Sequence, residues 1–98
     1  MFIVSLSYTA PLTAVDALLD AHVAWLQRGY ADGAFLASGR KVPRNGGVIL
    51  ARGERAALEQ RLAEDPFAQA GLAQYDITEF IPTLTAADLD ALREPLPG

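Results

Sequence analysis

Residues 63–71 read AEDPFAQAG, and this segment separates the second helix of the chain from its last strand. The helix must end at Asp65, because the residue before a proline is driven out of the helical region and the proline ring cannot continue the hydrogen-bond ladder. An acid is therefore placed at a helix end, beside the apolar Phe67. The only histidine is His22. If His22 reaches this turn from the first helix, the two residues form the one obvious acid/base pair of the chain.

The composition indicates one small folded domain. The chain has 98 residues, of which 51% are hydrophobic and 20% charged, with a net charge of -4. These values exclude intrinsic disorder and provide for a single core. The chain has more apolar side chains than a domain of this size easily buries, which favours a self-association surface. The acidic balance argues against a nucleic-acid partner, since such domains usually carry a basic face.

The chain lacks the residues and segments that cysteine-based sites, secretion and membrane insertion require. Without cysteine it has no disulfide, thiolate metal site or thiol nucleophile. Residues 1–8 show neither the basic region nor the sustained apolar region of a secretory signal, and no apolar run is long enough for a bilayer. We therefore expect a soluble, cytoplasmic protein with no membrane partner.

Hydrophobic periodicity predicts the elements. Thr13 followed by Asp16 resembles a capping box and predicts the start of a helix with His22 on or beside its buried stripe. The third strand is apolar on both faces, which predicts a central position or a covered second face. In order, we expect a strand at 2–8, a helix that starts at Thr13 and is closed by Gly33, and strands at 34–39 and 48–51. A helix from Gly53 to Asp65, an irregular helical turn at 67–72, a strand at 75–81 and a short helix from Thr85 through Leu92 follow.

This β-α-β-β-α-β order predicts an α+β, ferredoxin-like sandwich, in which a four-stranded antiparallel sheet carries two helices on one face. The other face needs a cover, and a second copy of the chain, arranged as a two-fold homodimer, is the expected one. The sequence contains no linker or repeat. We therefore expect a single domain over 1–98, with a core at about 1–82 and a C-terminal extension at 83–98.

Several motifs together resemble the YCII-related protein family. The resemblance covers the chain from the first strand to about Ile81, and Asp-Pro-Phe is its most specific part. It implies a dimeric α+β barrel akin to muconolactone isomerases, with His22 and Asp65 as the active-site pair; at least one relative is a dehydrochlorinase acting on a chlorinated hydroxyquinol. Arg40 departs from the family's usual proline. The motifs are His22, Ser38-Gly39, Gly47, Asp65-Pro66-Phe67 and Gly71.

The residue types fit proton-transfer chemistry. An aspartate that accepts a hydrogen bond from one imidazole nitrogen fixes the tautomer and leaves the other nitrogen to take or give a proton. Such a pair would serve isomerisation, halide elimination or lactone hydrolysis on a small organic substrate. Ser38 is suited to orient a substrate oxygen and Arg40 to hold a carboxylate or phenolate. The candidate catalytic residues are His22 and Asp65, and the candidate substrate-binding residues are Ser38, Gly39, Arg40 and Phe67.

Structural interpretations of the same residues remain open. His22 can be a hydrogen-bonded core or interface residue, Asp65 a turn former, and Ser38-Gly39 a strand-end bulge. The basic cluster of Arg40, Lys41 and Arg44 can be a solvated hairpin tip. The alternative function is a non-catalytic module that binds a small ligand or a protein on the same dimeric scaffold. One histidine without cysteine makes no dedicated zinc site, and no phosphate loop is present, so we expect neither metal nor cofactor.

Overall fold

The computed structural model describes residues 1–97 and contains a four-stranded sheet with helices on one face. Gly98, the last residue of the expected C-terminal extension, lies outside the described residues. The elements are β1 (Phe2–Tyr8), α1 (Leu12–Ala17), α2 (Leu19–Ala31), β2 (Phe35–Arg40), β3 (Gly46–Ala51), α3 (Arg55–Ala63), α4 (Pro66–Gln69), β4 (Ala73–Glu79) and a 3-10 helix (Ala87–Leu92).

The strand order is β2-β3-β1-β4, and every neighbouring pair is antiparallel. Val4 at the centre of β1 lies opposite Ile49 of β3 and Ile77 of β4. Phe2, Val4 and Leu6 of β1 are buried beneath the helices, whereas Ile3 on the other face is 40% exposed. This arrangement confirms the α+β ferredoxin-like fold and the central position of β3 that its two apolar faces predict.

The main core lies between the sheet and the inner faces of α2 and α3. Trp25 and Phe35 meet there with ring centroids 5.1 Å apart. Full burial of each large apolar side chain contributes about 1.5–3 kcal/mol. Gly29 allows the close approach of α2 to β2, since a Cβ atom at this position would lie 2.1 Å from the Phe35 ring. The core residues are Phe2, Val4, Leu6, Trp25, Phe35, Ile49, Ala51, Leu58 and Leu62.

The first helix differs from the expected single helix with a capping box. α1 begins one residue before Thr13 without a side-chain cap, and the chain bends at Leu18, where φ is -111° and ψ is 7°. Asp16 does not cap the helix; its Oδ1 accepts a hydrogen bond from Arg44 at 2.5 Å. A guanidinium in reach is a stronger partner for a carboxylate than a neutral group. The predicted capping box is therefore wrong.

The remaining boundaries shift by a few residues. β3 begins at Gly46 rather than Val48, because Gly46 still pairs with Ser7 of β1. β4 lies two residues earlier than the predicted 75–81. The turn after Asp65 is a distinct short helix, α4, with Gly71 just beyond it at φ +69°. The C-terminal helix is a 3-10 helix whose preceding residue, Ala86, provides no side-chain cap. This helix therefore begins two residues after Thr85, where the sequence predicts its start, and it has no side-chain cap.

Candidate active site

His22 is held on the inner face of α2 by contacts on several sides. Its Nδ1 lies 2.8 Å from Oδ1 of Asp65. Its ring stacks on Phe67 with centroids 4.0 Å apart and planes inclined by only 6°, and Trp25 lies 5.5 Å from it. The residue is 9% exposed. The imidazole is therefore fixed in orientation while one edge stays reachable.

Asp65 is completely buried, with 0% of its surface exposed. Its Oδ1 accepts hydrogen bonds from His22 Nδ1 and from the Phe67 backbone N–H at 3.0 Å, and its Oδ2 accepts one from the Tyr75 hydroxyl at 2.5 Å. The bond to the Phe67 N–H makes Asp65 the N-cap of α4, with Pro66 at the first helical position. A buried carboxylate needs such donors, and this one has three.

The hydrogen bond to Asp65 also determines the tautomer of His22. An ionised carboxylate only accepts hydrogen bonds, so Nδ1 of His22 is the donor. In the neutral ring Nε2 then carries no proton. The sequence predicts that these two residues meet, and the structure brings them together across 43 positions of the chain.

Tyr75 is a member of this network that the sequence analysis missed. Burial, and secondly its hydrogen bond to Asp65, raise the pKa of its hydroxyl well above the ordinary range. The hydroxyl therefore stays protonated and acts as a donor. Its position in the alternation of β4, opposite Leu6 of β1, places it on the helix-covered face and is the signal that could have identified it.

A cavity of about 170 Å³ opens beside His22, between α2 and the face of the sheet formed by β1, β3 and β2. The structure brings Ser38, Gly39 and Arg40 to this cavity, whereas Phe67 does not line it. Phe67 is 1% exposed and lies behind the imidazole, so its position does not allow the expected substrate contact. The remaining lining side chains are mostly apolar: Leu6, Leu19, Val23, Leu26 and Ile49.

Ser38 and Arg40 lie on the helix-covered face because they alternate along β2. They pair with Ile49 and Gly47 of β3, respectively. Oγ of Ser38 is 2.5 Å from the Tyr30 hydroxyl. The irregularity in β2 lies between Phe35 and residue 37, so the interpretation of Ser38-Gly39 as a strand-end bulge is wrong.

Arg44 is a second residue that the sequence analysis did not assign to the site. It was assigned to a basic cluster that a solvated hairpin tip could explain, but its guanidinium folds back from the β2–β3 loop onto Asp16 of α1 and lines the cavity. This hydrogen bond lowers the pKa of Asp16 and raises that of Arg44. The Nε atom of Arg44 is buried and has no hydrogen-bond partner among the described residues.

The described residues bring no three His, Cys, Asp or Glu side chains into a group that could hold a metal ion. Within residues 1–97, too, no helix combines the length and the apolar character that crossing a membrane requires.

Comparisons with known proteins agree with the fold. Seven chains of solved structures are similar to this one. Among them is 5-chloro-2-hydroxyhydroquinone dehydrochlorinase from Burkholderia phenoliruptrix AC1100 in complex with 2,5-dihydroxybenzoquinone, with a TM-score of 0.68 and 17% identity over 82% of this chain and 93% of that one. No curated protein sequence matches. The YCII-related domain model matches residues 1–81. The chain therefore belongs to the YCII-related domain family, as its motifs predicted.

Proposed function

We propose that this protein is a cofactor-independent enzyme in which His22 acts as general acid/base on a small organic substrate. One observation carries the proposal: a fully buried carboxylate, Asp65, accepts the Nδ1–H of His22 at 2.8 Å, and His22 itself lines a cavity. The free nitrogen, Nε2, is thereby available to a bound molecule. A general acid or base must lie within hydrogen-bond reach of the proton it moves, so such a cavity is required.

In the proposed reaction Nε2 of His22 takes a proton from an activated hydroxyl or carbon. The resulting imidazolium is stabilised by the carboxylate of Asp65, which orients the ring throughout. Proton transfer of this kind accelerates reactions by about 10²–10⁴-fold. Loss of hydrogen chloride from a chlorinated ring, isomerisation and lactone hydrolysis all fit, since each moves protons without an external oxidant or reductant.

Elimination of chloride is the reaction to test first, because the similar structure is of a dehydrochlorinase. His22 moves a proton from one ring hydroxyl to the chlorine-bearing carbon, which gives a ketone tautomer. Loss of a second hydroxyl proton then forms a second carbonyl group as chloride leaves, so hydrogen chloride is lost in total and a quinone remains. Ser38, Gly39 and Arg40 are the proposed substrate contacts, since all three line the cavity. Phe67 is proposed only to hold the imidazole by stacking, at 4.0 Å.

The test is turnover of chlorinated hydroquinones, small lactones and their isomers by the wild type and by His22→Gln. We expect His22→Gln to lower kcat by at least about 100-fold while the protein stays folded, as judged by circular dichroism. Gln27→Ala, on the exposed side of the same helix, is the control and should match the wild type. A loss of turnover that only follows the folded fraction would contradict the proposal and favour a non-catalytic binding module.

We further propose that the protein is a homodimer, with a second copy covering the helix-free face of the sheet. This face carries Ile3 and Val48, 40% and 39% exposed, with the half-buried Leu50 opposite Ile3. Antiparallel sheets with apolar residues on both faces need a cover on each. Ile3→Glu should give a monomer in light scattering, whereas Val42→Glu on the 97% exposed hairpin should leave the dimer intact. A wild-type monomer at micromolar concentration would contradict the proposal.

A further inference from the structure

We infer that the cavity beside His22 takes a small ring compound with a single anionic oxygen group, which Arg40 binds. The inference deepens the proposed function and rests on it only for the catalytic use of the bound molecule. The protein carries a net charge of -4, yet two arginines and no acidic side chain are among the residues that line this cavity. The cavity is thus positive in an otherwise acidic protein, which selects an anion.

The charges around the cavity indicate a single negative charge on the ligand. Arg44 donates to Asp16 at 2.5 Å, so these two opposite charges offset each other. Asp65 lies behind His22 and is hydrogen-bonded by three donors. Arg40 forms no ion pair among residues 1–97, although its charge acts at longer range on Asp16 and helps to lower the pKa of that carboxyl. One positive charge is therefore left to face the ligand.

Arg40 is also placed where an anion has room beside it. It pairs across the sheet with Gly47, on the helix-covered face. A Cβ atom at Gly47 would meet only the carbonyl oxygen of Gly39, at 3.1 Å, so the space above this part of β3 is open. A guanidinium presents a planar fork of N–H donors that matches a carboxylate and also binds a phenolate. Arg44 is held by Asp16 and therefore forms a fixed wall of the cavity.

The rest of the cavity fits a single apolar ring. Leu19, Val23 and Leu26 of α2 face it from one side, and Leu6 and Ile49 of the sheet from the other. Its volume of about 170 Å³ is close to that of an engineered apolar cavity of about 150 Å³ that holds benzene. A ring seated here lies next to the imidazole of His22, and Arg40 at the same cavity is available for its anionic group.

Calorimetry with benzoate, 4-nitrophenolate and the uncharged benzamide tests this inference at about pH 8.5, where the first two are ionised. We expect at least one of the two anions to bind at least about tenfold more tightly than benzamide, and Arg40→Gln to abolish that difference, as for the loss of a hydrogen bond to a charged group. Arg28→Gln is the matched control, because Arg28 is exposed on the same protein outside the cavity. It should retain the wild-type preference.

The results separate this inference from the proposed function. Equal binding of the anions and benzamide, no binding of either anion, or equal losses in Arg40→Gln and Arg28→Gln would overturn the inference. An Arg40-dependent preference for anions supports the inference even if no substrate is ever turned over. Turnover confined to neutral substrates would overturn it and leave the acid/base role of His22 intact.

Discussion

Replacing Asp65 by asparagine tests the central network most directly. The substitution keeps the shape of the side chain and removes only its charge and one acceptor oxygen. Asp65 is buried, and its two oxygens serve the donors of His22, Phe67 and Tyr75. In the variant the amide oxygen keeps the hydrogen bonds from His22 and Phe67 as neutral ones. The amide NH2 then faces Tyr75, whose hydroxyl must turn from donor to acceptor, so this third bond is neutral as well.

The expected loss follows from the hydrogen bonds. A hydrogen bond to a charged group contributes about 1.5–3 kcal/mol, against about 0.5–1.5 kcal/mol for a neutral one. Three bonds therefore weaken by about 3 kcal/mol in total, and part of this is offset because a buried charge no longer has to be desolvated. We expect Asp65→Asn to lower the free energy of unfolding by about 2 kcal/mol, a large share of the roughly 5–15 kcal/mol of a small domain.

Urea unfolding followed by the emission of Trp25 measures this loss. Trp25 is the only tryptophan and is 1% exposed. Protein concentration must be held fixed, since an associating protein gains apparent stability by mass action. The control is Glu64→Gln, which removes the same charge from an exposed neighbour and should change stability by less than about 0.5 kcal/mol. Equal unfolding midpoints for the two variants would refute the reasoning that this network stabilises the fold.

Three further predictions concern pH and packing. The pKa of Tyr75 is raised in the folded protein, so its ionisation opposes folding. The free energy of unfolding should therefore fall as pH rises above about 10. The fall should be less steep in Tyr75→Phe, as measured by urea unfolding midpoints. Gly29→Ala should cost about 1–3 kcal/mol in the same assay, because the new Cβ meets the buried ring of Phe35; an unchanged midpoint would contradict this close contact. Arg44 lowers the pKa of Asp16, so the ionised Asp16 should stabilise the fold above about pH 4, and this stabilisation should be lost as pH falls further. The unfolding midpoint of Asp16→Asn should therefore depend less on acid pH than that of the wild type.

The order of the strands and main helices, and the position of Asp65 at the end of the second helix, could be predicted from the sequence. The pairing of His22 with Asp65 was a hypothesis that rested on the resemblance to the YCII-related family. The alternation in β1 and the break imposed by Pro66 are local signals that packing does not override. The bend at Leu18 is different, because it depends on tertiary packing. Val15 of α1 is buried in a small cluster with Phe67 and Leu72, whereas α2 places Trp25 in the main core. Periodicity along the chain does not distinguish two clusters from one.

The contributions of Arg44 and Tyr75 to the site were not predictable for a related reason. Arg44 lies in a loop, and its partner Asp16 is 28 positions away on α1. Tyr75 reaches Asp65 only because β4 follows the turn that Asp65 begins. Such contacts depend on how the elements meet in space. An arginine is equally typical of an exposed hairpin, and a tyrosine is equally typical of an ordinary strand.

The double use of one oxygen, Oδ1 of Asp65, bears on how this family's sequences are to be compared. The same atom caps α4 and holds His22. Selection for a stable turn alone would preserve this aspartate, even in a descendant that had lost every substrate. Its retention in a relative would therefore be no sign of catalysis. The informative position is His22, because a helix can bury other side chains there, and its loss beside a retained aspartate would mark a lineage that kept the scaffold and gave up the chemistry.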